Sequence, residues 1–158
     1  MRLGLLLVVV LAAACDGAAS APTLHLTLVP SDTLSGRDTM TLDLAATLRP
    51  CEGDSAFLVE ADADGMGALL MLRLNSLAAG SYSVGLRHRL AIRYQGRGVS
   101  TMFRGDSGTI TIGGGGRALD LAIEGTVLDP YSVRRRVSGR LEGLKADTTR
   151  VRCAPSGG

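Results

Sequence analysis

The sequence predicts a single all-β domain, an antiparallel β-sandwich or a small β-barrel. Two observations carry this. Apolar and polar residues alternate with a period of two over most of the chain, the pattern of a strand with one buried and one wet face. Turn-forming residues separate these runs at near-regular spacing: Ser35-Gly36, Gly53-Asp54, Asp64-Gly65, Ala79-Gly80, Gly105-Asp106, Gly113–Gly116 and Asp129-Pro130. Hydrophobic residues make up 46% of the 158, enough for one core and too many for a disordered chain.

The strands follow in order. Leu24, Leu26 and Leu28 alternate with Thr23, His25 and Thr27. Met40, Leu42, Leu44 and Leu48 alternate with Thr39, Thr41, Asp43 and Thr47, and Phe57–Ala61 is a further short candidate. Residues 67–79 are ambiguous. Met66, Leu70, Leu74 and Leu77 approach helical spacing, with Gly80 as a C-terminal cap and Asp62 or Asp64 as an N-cap. Leu70, Leu72 and Leu74 fit a strand, and the strand-like neighbours favour that reading. The longest alternation runs from Tyr82 to Gln95, with Val84, Leu86, His88, Leu90, Ile92 and Tyr94 on the apolar side. It is long for one strand, so a bend is expected, with Gly85 the candidate. Ile110 and Ile112 alternate with Thr109 and Thr111. Leu119, Leu121, Ile123 and Val127 alternate with Asp120, Ala122, Glu124 and Thr126. Val133, Val137 and Leu141 alternate with Arg134, Arg136, Ser138 and Arg140.

Residues 1–14 are an address rather than part of the domain. Arg2 precedes an unbroken small or apolar run from Leu3 to Ala14, the layout of a secretory signal peptide. A spanning helix needs roughly 20 such residues, and this run is shorter. It ends Leu11-Ala12-Ala13-Ala14-Cys15, which resembles the lipobox of bacterial lipoproteins. In that family small residues precede a cysteine that is lipidated and becomes the mature N-terminus. The family prefers Leu three places before the cysteine; here Ala12 stands there, with Leu11 one place earlier. The resemblance covers this segment alone. It implies a lipid on Cys15, an exported protein and an anchor in a bacterial membrane, without fixing the membrane or the leaflet. Ordinary cleavage within Ala12–Ala21 is the alternative and would release a secreted protein. Residues 15–23 are the lipidated cysteine and a small polar tether reaching roughly 25 Å at most. The domain is expected over 24–158.

With Cys15 assigned to the lipid, Cys51 and Cys153 remain. An even remainder in an oxidising compartment predicts a disulfide. Two cysteines without a nearby histidine make a poor zinc site.

No chemical constellation stands out, so no catalytic residue, metal or cofactor is expected. Lys+Arg is 17 against Asp+Glu 15, which excludes a polybasic nucleic-acid arm. Aromatics are only 3%, too few for a platform that stacks bases. The glycine run Gly113–Gly116 joins two strand-like segments and lacks a following Lys-Ser or Lys-Thr. It therefore reads as a hairpin turn and not as a phosphate cradle. Glu60, Asp62, Asp64 and Gly65 resemble the start of a calcium loop, but apolar residues replace the later ligands. A solvated turn is expected. His25 falls on a polar face and His88 on an apolar one. No Gly-x-Ser-x-Gly elbow accompanies either.

The densest charge is Arg134-Arg135-Arg136. In a strand Arg134 and Arg136 face outward with Arg140, and Arg135 shares the side of Val133 and Val137. Arg87, Arg89 and Arg93 line the outer face of the long strand. If the two strands are neighbours, they form a basic patch for an anionic surface; otherwise they are a solvated face with acidic cross-strand partners such as Asp120 and Glu124. The expected function is a non-enzymatic, envelope-surface binding or interaction module, with an envelope protein or an anionic polymer as partner. The alternatives are a barrel that carries a small apolar ligand and a hydrolase using His25 or His88.

Overall fold

The computed structural model describes residues 21–30, 39–63, 67–85, 87–96, 99–114 and 118–153. Among these it contains nine strands: β1 (Thr23–Pro30), β2 (Met40–Pro50), β3 (Phe57–Ala63), β4 (Ala68–Leu74), β5 (Gly80–Ser83), β6 (Arg89–Gly96), β7 (Val99–Gly113), β8 (Leu119–Leu128) and β9 (Arg134–Leu144). The segment that is ambiguous in sequence thus forms strand β4.

The strands make one sheet in the order β5-β7-β6-β4-β3-β2-β1-β9-β8, and β7 also pairs with β8. Every pairing between named strands is antiparallel. The β7–β8 pairing closes the sheet on itself. The result is an eight-stranded antiparallel barrel in which β5 continues the line of β6 along one edge of β7. Closure removes the sheet edges that would otherwise invite aggregation.

Period-two alternation decides what fills the barrel. In β2 Leu42, Leu44, Ala46 and Leu48 are buried, while Thr41, Asp43, Ala45 and Thr47 are exposed. Leu26, Leu28, Leu44, Leu70, Leu72 and Ile92 have 0% exposed surface. A void of water size against them would appear as accessible surface. The centre is therefore occupied by side chains, as suits a barrel of eight strands.

Two expectations are corrected. Tyr82–Gln95 is not one bent strand but β5 and β6, with Val84, Gly85, Arg87 and His88 outside both. There Val84 N–H donates to Gly108 O at 2.9 Å and Gly85 N–H to His88 O at 2.9 Å. The alternation still holds across the break: Val84, His88, Leu90 and Ile92 are all buried. Gly105-Asp106, read as a turn, lies inside β7 at a β-bulge, where the register with β8 shifts between Gly105 and Ser107. The glycine serves packing here. A Cβ on Gly105 would stand 2.7 Å from Val84 Cγ1. The expected turn at Ser35-Gly36 lies outside the described residues, as do Asp64, Gly65, Gly115 and Gly116.

The barrel has two unlike ends. At one end the chain enters at Thr23, where Pro22 O accepts from Ala46 N–H at 2.8 Å. The C-terminal tail returns to the same end. Ala146 and Val151 form parallel bridges with Leu48 and Cys51, and a disulfide joins Cys51 to Cys153 with the Cα atoms 5.4 Å apart. At the other end β1 finishes, β9 starts, and residues 129–133 connect β8 to β9.

Candidate interaction surface

The β8–β9 connection is built around Asp129. Its Oδ1 accepts from Tyr131 N–H at 2.9 Å and Val133 N–H at 2.8 Å, an Asx-type turn. This fixes a backbone whose side chains face water: Tyr131 is 87% exposed and Val133 49%. β9 begins directly afterwards, and its pleat sorts the three arginines. Arg134 and Arg136 point outward and are exposed, while Arg135 points inward and is half-buried. Arg134 Nε lies 3.6 Å from Asp106 Oδ2. Arg136 stands opposite Val29, itself 37% exposed. Tyr131, Val133, Val29, Arg134 and Arg136 thus gather at one rim.

Arg135 is held differently. It stands in register with Pro30 of β1 and Val127 of β8, and its Cζ lies 5.8 Å from the Phe103 ring centroid. Its Nε is buried and without a hydrogen-bond partner. Arg49 and Arg73 also leave Nε without a partner, but each directs Nη2 to a carboxylate, Glu60 and Asp54 respectively. Among the described residues no carboxylate forms an ion pair with Arg135.

The joint patch with Arg87, Arg89 and Arg93 does not form as expected. β7 and β8 lie between β6 and β9. In that interval Arg104 faces Ala91 on one side and Leu128 on the other, and Leu128 faces Arg134. Strand order is a tertiary choice that a local alternation does not encode. The acidic partners also differ from expectation. Arg134 finds Asp106, whereas Asp120 Oδ1 accepts from Gly143 N–H at 2.9 Å.

The two histidines take the faces their positions predict. His25 is on the outer wall, its Nδ1 2.6 Å from Asp43 Oδ1, with both side chains about two-thirds exposed, 69% and 67%. His25 borders an open depression of about 340 Å³ lined also by Thr27, Glu124, Ser138 and Arg140. Ser138 makes no hydrogen bond to His25. This cross-strand pair was not foreseen, because only the β1–β2 register brings His25 opposite Asp43. His88 is buried, its ring centroid 4.8 Å from that of Tyr82, with a long 3.5 Å contact from Asn75 N–H to Nδ1. Desolvation, together with the nearby Arg87 charge, lowers its pKa.

The remaining sequence candidates fall as follows. Glu60 is taken up by Arg49, and Asp62 is exposed on β3. Among the described residues no cluster of His, Cys, Asp and Glu is arranged to hold a metal ion. The strands flanking the glycine run pair antiparallel, Gly113 opposite Asp120, as a hairpin requires. The leader 1–14 and Cys15 lie outside the described residues. No helix among those described is long and apolar enough to cross a membrane.

Fold and surface together define a small closed antiparallel barrel with a packed interior and its exposed chemistry on the outer wall and rim. Comparison with family models, with curated proteins and with solved structures finds no match.

Proposed function

We propose that the chain is an exported protein, lipidated at Cys15, that works without catalysis as an interaction module of the bacterial envelope. Its partner is an envelope protein or an anionic polymer. The observation that carries this is the rim of exposed Tyr131, Val133 and Val29 interleaved with Arg134 and Arg136. Tyrosine and arginine are the residues interfaces favour. That rim is at the far end of β1 from Thr23, roughly 23 Å along the strand. A tether running from Cys15 to Thr23 joins the barrel at the end opposite that rim.

Two features favour the surface over the alternatives. An apolar guest in the barrel would have to displace leucines that have no accessible surface. The His25–Asp43 pair sits on an open wall, where among the described residues no hydroxyl is hydrogen-bonded to the imidazole as nucleophilic catalysis requires.

The test is fractionation of cells making the intact chain and its Cys15→Ser variant, with labelled palmitate in the medium. The wild type is expected in the membrane fraction carrying label, and Cys15→Ser without it. A full-length, unlabelled wild-type chain in the cytosol would overturn the proposal.

A further inference from the structure

We infer that Arg135 is a receptor for a single carboxylate, supplied by an acidic side chain of a protein partner that seats on the rim. This deepens the proposed function and rests on its reading of the rim as a contact surface. A guanidinium remains charged at any physiological pH, and taking it partly out of water is costly unless it is paired. Arg49 and Arg73 meet that cost with Glu60 and Asp54. Arg135 has the same buried, unbonded Nε and no carboxylate beside it among the described residues. The guanidinium lies over the Phe103 ring, 5.8 Å from its centroid, an arrangement that adds cation–π attraction. Val127, in register with Arg135 on β8, and Val137, two residues along β9, are 0% and 1% exposed, so the backbone that carries the group is packed in place. A guanidinium beside an aromatic ring and apolar neighbours is suited to bidentate pairing with a carboxylate.

The surroundings point to a protein as the source of that carboxylate. Arg134 and Arg136 face out on either side of Arg135 and raise the positive potential at the rim, which steers an acidic segment inward. Tyr131 and Val133 offer apolar contact beside it.

The test uses the full chain in neutral detergent, labelled with nitrogen-15. The arginine Nε–H signals are followed while a blocked Leu-Glu-Leu peptide is added. The Arg135 signal is expected to move and saturate, and those of Arg134 and Arg136 to move little. The Leu-Gln-Leu peptide should leave all three in place. Arg135→Met should weaken peptide binding at least about tenfold. Arg134→Gln, the same change in charge one residue away, should weaken it much less. Arg135→Lys keeps the charge but has no fork; it should bind weakly while retaining the wild-type spectrum elsewhere, which separates loss of the site from loss of the fold. Parallel movement of all three arginine signals would overturn the inference, as would equal losses in Arg135→Met and Arg134→Gln. So would Arg135-dependent binding to phosphatidylglycerol vesicles without any to the peptide. Each readout is independent of export and of Cys15, so its failure is distinguishable from failure of the anchoring proposal.

Discussion

His88 shows how one side chain couples the fold to its medium. Burial, and secondarily the Arg87 charge, favour the neutral imidazole in the folded chain. The unfolded chain takes up a proton near pH 6.5. Below that pH the unfolded state binds more protons, so stability is full above it and declines as pH falls toward the depressed folded value. His88→Gln should remove this part of the pH dependence, seen as a flatter profile of melting temperature between pH 7 and 5. A variant whose profile matches the wild type would mean that His88 is not held neutral. The face of His88 was legible from its place in the alternation Tyr82–Tyr94. Its partners were not, because Asn75 reaches it through the pairing of β4 with β6 and Tyr82 through the break between β5 and β6.

Among the elements, β7 is the least legible and the most consequential. Only Ile110 and Ile112 with their threonines announce it, although it runs for 15 residues. The rest is hidden by Gly105-Asp106, which reads as a turn, and by Gly108 soon after it. In the barrel they make the bulge and a close backbone crossing instead. A Cβ on Gly108 would overlap the Glu124 carbonyl, and one on Gly125 would overlap that of Ser107. Small residues here serve a contact between strands, which is not a local property. The C-terminal tail is a second such element. It carries no periodic signal, and its tie to β2 rests on two bridges and the disulfide. Closing a loop of about 100 residues restricts the unfolded chain, so reduction, or Cys51→Ser with Cys153→Ser, should cost about 2–5 kcal/mol. Urea midpoints in oxidised and reduced protein measure this. Equal midpoints would show that the bridges hold the tail unaided.

For the whole molecule, the decisive contact joins the first strand to the last. β1 pairs with β9 from His25 opposite Arg140 to Pro30 opposite Arg135, and this seam carries the sheet past the first strand to the pair β8–β7 that closes it. It is tightly packed: a methyl on Gly139 would stand 2.9 Å from Leu26 Cδ1. Gly139→Ala should therefore destabilise the fold by about 1–3 kcal/mol through overpacking, read as a lower urea midpoint. An unchanged midpoint would mean the seam has slack. The amino-acid sequence by itself determined the all-β class and the inward and outward face of most strands, and, with Cys15 assigned to the lipid, predicted the pairing of Cys51 with Cys153. These follow from a period of two and from a count, both readable without knowing any neighbour. Only the tertiary structure decided for a barrel over a sandwich, kept Arg87, Arg89 and Arg93 apart from Arg134 and Arg136, and set Arg135 over Phe103 with no carboxylate beside it among the described residues. Strand order and register are choices between distant segments, made by closure and side-chain fit, and no local pattern carries them.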